Sequence, residues 1–173
     1  MSLTDAGHLA VSMGETHAYE RPEPPTDTGA AALDERPWPA EREEITIVVS
    51  SRTAQRVWFK QWMEDATGLF NLRPNWNGYG ERPVHASALK RAARILDVMD
   101  YDGPPPSVAP RHDGSIQIEW HNGPRSVELV VKPNDAAEIR VFSDDDEESW
   151  AITSTVDALR LREAVTHLLG ANV

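Results

Sequence analysis

Residues 115–132 read SIQIEWHNGPRSVELVVK and carry the clearest strand pattern of the chain. On both sides of its central HNGP, apolar and polar residues alternate, which is the pattern of strands with one buried face. Asn and Gly are the residues that turns favour. The stretch therefore predicts an antiparallel hairpin, with an inner row formed by Ile116, Ile118, Trp120, Val127, Leu129 and Val131.

The turn of this hairpin determines its register. A two-residue turn centred on the NG dipeptide lacks its closing hydrogen bond, because Pro124 has no N–H. A four-residue loop, HNGP, avoids this problem and keeps the same register. We therefore predict that Trp120 faces Arg125 and that Ile118 faces Val127, so that both apolar rows share one face of the sheet.

Further strands and helices are predicted on either side of the hairpin. The segments EITIVVSS (44–51) and EIRVF (138–142) alternate like strands, and Trp150 with Ile152 indicates a fourth short strand of the meander. We predict that an odd-numbered loop before EIRVF brings Ile139 and Val141 opposite Leu129 and Val127.

Helices are predicted where apolar residues recur every three to four positions. The first runs to about residue 69 after a cap at Ser50, Ser51 or Thr53, and the second covers roughly 85–99. A final helix begins at Ser154 or Thr155 and packs inward through several apolar residues that include Val156. The resulting fold class is α+β, with two N-terminal helices, a three- to four-stranded antiparallel β-meander and a C-terminal helix on one sheet face.

The N-terminal part of the chain has a different composition. Residues 1–43 contain five prolines and show no sustained strand or helix period, and ten of the 28 acidic residues but only three of the 17 basic residues lie in residues 1–44. Such a segment buries too little apolar surface to offset the entropy of ordering. We therefore predict a disordered, acidic, proline-rich tail over 1–43 and a single α+β domain over 44–173.

Composition excludes several classes of protein. The formal net charge of −11 over 173 residues argues against nonspecific nucleic-acid binding, and the absence of cysteine excludes disulfides and thiolate metal sites. No apolar stretch is long enough to span a membrane, and the N-terminus lacks the pattern of a leader peptide. We predict a cytoplasmic protein without membrane association, and the absence of phosphate-binding glycine motifs predicts no cofactor.

The loop PNWNGYG (74–80) is the most unusual stretch outside the hairpin. Asn77 and Gly78 form a turn dipeptide, and Trp76 and Tyr79 flank it. One interpretation is structural, with Trp76 filling the gap between the helices and the sheet. The other is functional, because exposed aromatic residues on a turn are typical of recognition surfaces.

Two other kinds of site remain open from the sequence. Glu119 and His121 lie on one face of a strand and, with His112, form the closest grouping of side chains able to do acid–base chemistry. They indicate a hydrolase or nuclease as an alternative, without a third group placed by the sequence. Nucleic-acid binding has one favourable feature, a basic patch beside the aromatic loop formed by Arg73, Arg82, Lys90, Arg91 and Arg94.

Two motifs together resemble a family of small bacterial and phage proteins. The pattern is PNWNGYGERPV, a helix, a proline cluster and DGSIQIEW, over about residues 52–142. The residues that match are Trp76, Gly78, Gly80, Asp113, Gly114, Glu119 and Trp120. The chain departs from the pattern at Asn77, where the family has Asp, and at Ser115, where it has Gly. The family has no established activity, so the resemblance implies no catalytic residue, only an accessory role in mobile or defence-related gene neighbourhoods.

The sequence thus favours a small non-enzymatic protein that binds another protein, in an antitoxin-like, anti-defence or accessory role. Its predicted contact surface joins the aromatic loop to the strand carrying Glu-Trp, through Trp76, Asn77, Tyr79, Arg82, Glu119 and Trp120. Alternatives are the hydrolase or nuclease using Glu119 and His121, and a homodimer or larger homo-oligomer that pairs through an exposed strand edge or an aromatic patch.

Overall fold

The computed structural model describes residues 8–13, 45–144 and 146–170 of the chain. A five-stranded antiparallel sheet holds the hairpin at its centre, in the order β3-β4-β5-β6-β7. Its strands are β3 (Ser107–Pro110), β4 (Ile116–Asn122), β5 (Arg125–Val131), β6 (Ala137–Phe142) and β7 (Glu147–Ala151). The α+β class predicted from the sequence is therefore confirmed, with one more strand in the sheet than expected.

The added strand, β3, pairs with β4 at the edge of the sheet and ends at Pro110. It was missed because it is only four residues long and directly follows a proline cluster. An edge strand tolerates proline, because the N–H groups on its outer side have no neighbouring strand to bond to. Only the pairing with β4 distinguishes this segment from a loop.

The predicted register of the central hairpin is wrong by one pair. Trp120 faces Val127, and Asn122 faces Arg125, so the connection is a two-residue turn rather than the predicted four-residue loop. Gly123 has a φ of 63°, and the proline after it supplies a negative φ, which is the combination of a type II′ turn. That turn closes through Arg125, so no N–H is needed at Pro124. Because the shift is an even number of residues, both apolar rows still share the inner face.

The third strand pairs as predicted. Leu129 faces Ile139 and Val127 faces Val141, across a loop of odd length between β5 and β6. Ile152 follows β7 and is buried, in agreement with the fourth predicted strand. The inner face of the sheet is consequently continuous and apolar, and it carries the helices.

Among the residues that the structure describes, three helices, rather than the two predicted, precede the sheet. They are α1 (Ser51–Gln55), α2 (Val57–Phe70) and α3 (Ala86–Met99). The predicted first helix is interrupted at Arg56, which is extended with φ −66° and ψ 134°. The Arg56 guanidinium reaches Asp102 at 2.6 Å and Asp100 at 3.6 Å, in the loop after α3. These partners are distant in sequence, so local pattern gives no sign of the interruption.

The aromatic stripe of α2 forms the centre of the core. Trp58, Phe59 and Trp62 are all buried, and the rings of Phe59 and Trp62 stack with centroids 5.5 Å apart. Trp58 donates its indole N–H to the main-chain oxygen of Tyr101 at 2.9 Å, which joins α2 to the loop after α3. Because these rings are buried together with their polar atoms, the aromatic face of α2 is part of the core.

The last helix is α4 (Thr155–Gly170), and it packs against α3 and the middle of the sheet. Ala158, Leu161, Val165 and Leu168 are its buried residues, whereas Val156, predicted to pack inward, is 72 % exposed. Val156 lies in the first turn, one position outside the stripe that faces the sheet. The prediction for this one residue is wrong, and that for the helix is confirmed.

Asp157 holds the start of α4 by accepting several hydrogen bonds. The main-chain N–H and the hydroxyl of Thr153 both donate to it at 2.9 Å, as does the N–H of Ser154, and Ser154 in turn accepts from the N–H of Asp157. This reciprocal arrangement is a capping box. The donors, Thr153 first, lower the pKa of Asp157 to about 2.

Asp157→Asn is expected to reduce stability in a pH-dependent way. Because folding depresses the pKa of this carboxyl, its stabilising contribution is present above the unfolded value near 3.8 and is lost as the pH falls toward about 2. The free energies of unfolding of wild type and variant, measured with urea, should therefore differ near neutral pH and converge in acid. Glu163→Gln, on the same helix away from the cap, controls for loss of one negative charge. A difference that stays constant down to the acid end would contradict this role.

A second, two-stranded sheet lies beside α3. Strand β1 (His8–Met13) pairs antiparallel with β2 (Ile45–Ser50), from His8 opposite Ser50 to Met13 opposite Ile45. On β2 the alternation predicted from the sequence is confirmed, since Ile45, Ile47 and Val49 are buried. Residues 8–13 lie within the segment predicted to be disordered, so that prediction does not hold for these six residues. The rest of the segment, 1–7 and 14–43, lies outside the described residues.

No helix among the described residues is long and apolar enough to cross a membrane.

Candidate functional site

The segment from Pro74 to Arg82, which we call the aromatic loop, is folded tightly on itself. Three of its residues have positive φ, namely Asn75 at 60°, Gly78 at 86° and Gly80 at 84°. Asn75 bridges the loop, since its N–H donates to the Glu81 oxygen at 2.8 Å and its side-chain oxygen accepts from the Gly80 N–H at 2.6 Å. These bonds fix the backbone of the loop without the help of a helix or strand.

The side chain of Asn77 gives the loop a further internal bond. Its oxygen accepts from the N–H of Tyr79 at 3.0 Å, which is the Asx-turn geometry expected for Asn two residues before the donor. Asn77 itself is exposed. The family that the sequence resembles has Asp at this position. Asn and Asp both provide a side-chain oxygen that can accept this hydrogen bond.

The two aromatic rings of the loop are on the surface. Tyr79 is 88 % exposed and Trp76 is 36 % exposed. The interpretation of Trp76 as a plug in the core is therefore wrong, because a residue filling the gap between helices and sheet would be buried like Trp58 or Trp62. The loop is held by main-chain and asparagine hydrogen bonds, which leaves its aromatic side chains available for contact.

The segment after the aromatic loop docks onto the turn that precedes β4. Arg82 donates its N–H to the His112 oxygen at 3.1 Å, and His85 donates its N–H to the Gly114 oxygen at 3.0 Å. The guanidinium of Arg82 is on the exposed side of this contact. The two motifs that the resemblance joins in sequence are thus also joined in space, through His112 and Gly114.

Gly114 is required at this junction for two reasons. Its φ is 84°, which side-chain-bearing residues rarely adopt, and a Cβ placed on it would lie 2.9 Å from the main-chain oxygen of Pro83. Asp113 supports the same turn by accepting from the N–H of Ser115 at 3.0 Å. Desolvation opposes ionisation of this carboxyl, but hydrogen bonds from Ser115 outweigh it and lower the pKa of Asp113.

Trp120 belongs to the core and not to a contact surface. It is 2 % exposed, and its ring meets that of Tyr101 edge-on at 6.1 Å. Burial raises the pKa of the Tyr101 hydroxyl to about 12, and that hydroxyl donates to the Pro104 oxygen at 2.9 Å. We therefore leave Trp120 out of the proposed contact surface, although its place in the predicted inner row is confirmed.

Glu119 lies on the outer face of the sheet, opposite the helices. Its carboxylate accepts from the side chains of Gln117 and His121, the latter at 2.7 Å, and Arg111 donates to Gln117 in turn. The result is a row of hydrogen-bonded polar side chains along β4. Among the described residues, the aromatic loop is hydrogen-bonded to the turn before β4 and not to Glu119. The contact surface expected from the sequence, which joined the loop to Glu119, is therefore not held together by direct hydrogen bonds.

The facing strand adds a second carboxylate beside this row. Glu128 lies opposite Glu119 across the β4–β5 pair. Partial burial raises the pKa of Glu128, and repulsion from Glu119 adds to the effect. Arg140, opposite Glu128 on β6, acts in the other direction. The outer face thus carries a mixed network of charges, in which Glu119 accepts hydrogen bonds and Glu128 lies between Glu119 and Arg140.

The alternative of a hydrolase or nuclease receives limited support from this geometry. Glu119 and His121 are in contact, but they lie on the open sheet face, and His112 lies in the turn that accepts from Arg82. Three clefts of about 560, 300 and 460 Å³ were found within residues 45–170, and none of these three is lined by Glu119, His121 or His112. Over the described residues, no group of three or more His, Asp or Glu side chains is placed to hold a metal ion.

The basic patch predicted beside the aromatic loop is divided by the fold. Arg91 donates toward the Ile152 oxygen at 3.4 Å, on the side of α3 that faces the start of α4, and Arg94 lies 3.9 Å from Asp135. Arg73 and Arg82, which flank the aromatic loop in sequence, are both exposed. The predicted basic patch includes Arg91 and Arg94, and both line a cleft that no local sequence pattern indicates.

Comparison of the chain with protein-family models, with curated proteins and with solved structures gave no match. The features described above therefore rest on the residues of this chain alone.

Proposed function

We propose that the chain is a non-enzymatic protein that binds another protein through the aromatic loop, in an antitoxin-like, anti-defence or accessory role. The observation that carries this proposal is the exposure of 88 % of Tyr79 on a loop whose backbone is fixed by its own hydrogen bonds. A fixed loop loses little conformational entropy when a partner binds, so its contacts contribute more fully to affinity.

The side chains of the loop are those that dominate protein interfaces. Trp, Tyr and Arg are enriched among the residues whose truncation weakens binding most, and the loop presents Trp76, Tyr79 and Arg82 within seven positions. Asn77 holds the turn that positions Tyr79. We assign Trp76, Tyr79 and Arg82 to the contact itself and Asn77 to its support, and Glu119 to a neighbouring polar surface.

Replacing Trp76 and Tyr79 together by alanine should abolish partner capture without unfolding the protein. Tyr79 is 88 % exposed and Trp76 is 36 % exposed, so the free energy of unfolding should change by no more than about 2 kcal/mol, whereas loss of two interface anchors typically weakens binding at least 30-fold. Affinity capture with the tagged full chain, followed by identification and titration of the retained protein, measures the second effect. Thermal unfolding measures the first.

Val57→Ala provides the matched control, since Val57 is an apolar side chain 81 % exposed at the start of α2. It should leave capture unchanged. Equal capture by wild type and by the folded double variant would reject the aromatic loop as the contact. Retention of nucleic acid instead of protein, lost in the same variant, would reject the partner class.

The remaining alternatives are tested in the same preparation. Homo-oligomerisation predicts a mass above 19.2 kDa in light scattering of the purified chain. The hydrolase or nuclease alternative predicts an activity that disappears in Glu119→Gln. The exposed rings of the aromatic loop favour a protein contact over the hydrolase or nuclease, and the mass in light scattering distinguishes a second copy of the chain from another protein.

A further inference from the structure

The largest of the three clefts lies between α3 and the start of α4. Its volume of about 560 Å³ is within the range of pockets that hold small molecules. The lining comes from α3, from the segment that leads into α4, and from Val48 on the outer side of β2. Three separate parts of the chain thus converge on one concave surface.

One end of the cleft is cationic. Arg91 and Arg94 line it, one turn apart on α3. The Nη2 of Arg91 reaches the Ile152 oxygen at 3.4 Å, and its Nε is buried without an acceptor among the described residues. Arg94 has Asp135 at 3.9 Å, a pair in which both side chains are more than half exposed. Such an exposed ion pair contributes little, so the guanidinium groups of Arg91 and Arg94 can both donate to a ligand.

The other end of the cleft is apolar. Val98 lies seven residues after Arg91 on the same helix, which places it about 10 Å farther along the cleft. It is 40 % exposed, and Val48, on the opposite wall, is 51 % exposed. These are two of the few large apolar side chains left exposed in the described part of the chain, and the cleft brings them together.

Asp97 lines the cleft and Asp157 lies beside it at the start of α4, and each carboxylate is engaged by neighbouring donors. Asp97 accepts from the N–H of Ser50 at 3.1 Å and from its hydroxyl at 2.6 Å, which fixes β2 beside α3. Asp157 accepts from Thr153 and Ser154 at the start of α4. The arginines are therefore the charged groups with donors to spare, and the charge that complements them is negative.

We propose that this cleft binds a small molecule with an anionic head, a phosphate or a carboxylate, on an apolar body of about the size of one aromatic ring. The head lies between Arg91 and Arg94, and the body lies against Val98 and Val48. This site is independent of the aromatic loop and does not require that the chain bind a protein.

Titration of the ¹⁵N-labelled full chain with phenyl phosphate tests the proposal by NMR. The expected result is a saturable shift of the amide signals of residues 91–98 and 152–155. Affinity should be at least tenfold higher than for inorganic phosphate or for phenol, because each of these supplies only half of the ligand. Benzoate carries a carboxylate on the same ring. Whichever of phenyl phosphate and benzoate binds with higher affinity identifies the preferred head group. No saturable shift with either compound, or equal binding of inorganic phosphate alone, would overturn the proposal.

Variants assign the site within the cleft. Arg91→Gln and Arg94→Gln should each weaken binding about tenfold, since each removes a charge-assisted hydrogen bond. Lys90→Gln, an equal loss of charge at an exposed position of α3 outside the lining, should change affinity less than twofold. Val98→Glu, at an exposed position that tolerates a polar residue, should remove binding while the amide spectrum stays folded. Unchanged affinity in Arg91→Gln and Arg94→Gln, or an equal loss in Lys90→Gln, would show nonspecific charge attraction and refute the site.

Discussion

Trp120→Ala is expected to lower the free energy of unfolding by about 4 kcal/mol, as truncations of buried tryptophan typically do. The ring is 2 % exposed and meets Tyr101 edge-on, and Tyr101 in turn accepts the indole N–H of Trp58 at its main-chain oxygen. Truncation leaves a cavity where the sheet, α2 and the loop after α3 meet. For a chain of this length the midpoint of thermal unfolding should fall by roughly 10 °C.

Tyr79→Ala is the control for Trp120→Ala. Trp120 and Tyr79 were both predicted as contact residues, and the structure separates them into a core residue and a surface residue. Tyr79→Ala should leave the melting temperature almost unchanged, and Trp120→Phe, which keeps a ring beside Tyr101, should lose less than half as much stability as Trp120→Ala. A Trp120→Ala variant as stable as wild type would show that the ring is not packed as described.

Gly114→Ala is expected to cost about 3 kcal/mol of stability, from two sources. A φ of 84° costs a residue with a side chain about 1–2 kcal/mol. The added Cβ would also lie 2.9 Å from the main-chain oxygen of Pro83, so the junction between the aromatic loop and the turn before β4 must shift. Chemical denaturation measures the stability, and the amide signals of Arg82 and His85 report the shift.

Gly123→Ala is the matched control for this variant. Its φ of 63° imposes a similar conformational cost, but no atom lies within 4 Å of a Cβ built there. It should therefore lose only about 1–2 kcal/mol and leave the signals of Arg82 and His85 in place. If both variants lose the same stability and neither moves those signals, the close approach of Gly114 and Pro83 has no energetic importance.

Local patterns were sufficient for most of the elements. The alternation in β4, β5 and β6 and the stripes of α2 and α3 follow directly from which residues are apolar, and the structure confirms each of them. Features that depend on contacts between residues distant in sequence were not predicted, and one predicted helix proved to be two. β3 exists because β4 offers it an edge, and the helix break at Arg56 accompanies ion pairs with Asp100 and Asp102.

The candidate site shows the same division. Asn77, Gly78 and Gly80 identify a turn from the sequence alone, because their conformational preferences are local. Whether the aromatic residues beside that turn point inward or outward depends on what packs against them. From the sequence, Trp76 could either fill the core or form a contact, and Trp120 was placed both in the inner row of the hairpin and in the contact surface. The structure places Trp76 at the surface and Trp120 in the core.

The α+β class, the inner and outer faces of the central hairpin and the positions of the main helices follow from the sequence alone, because each depends on a period of 2 or 3.6 and on turn residues. The hairpin register, the docking of Arg82 and His85 on the turn before β4, and the meeting of Arg91, Arg94, Val98 and Val48 in one cleft arise only when the chain folds. Those features depend on distances between residues that are far apart in the chain, and no local preference encodes such distances.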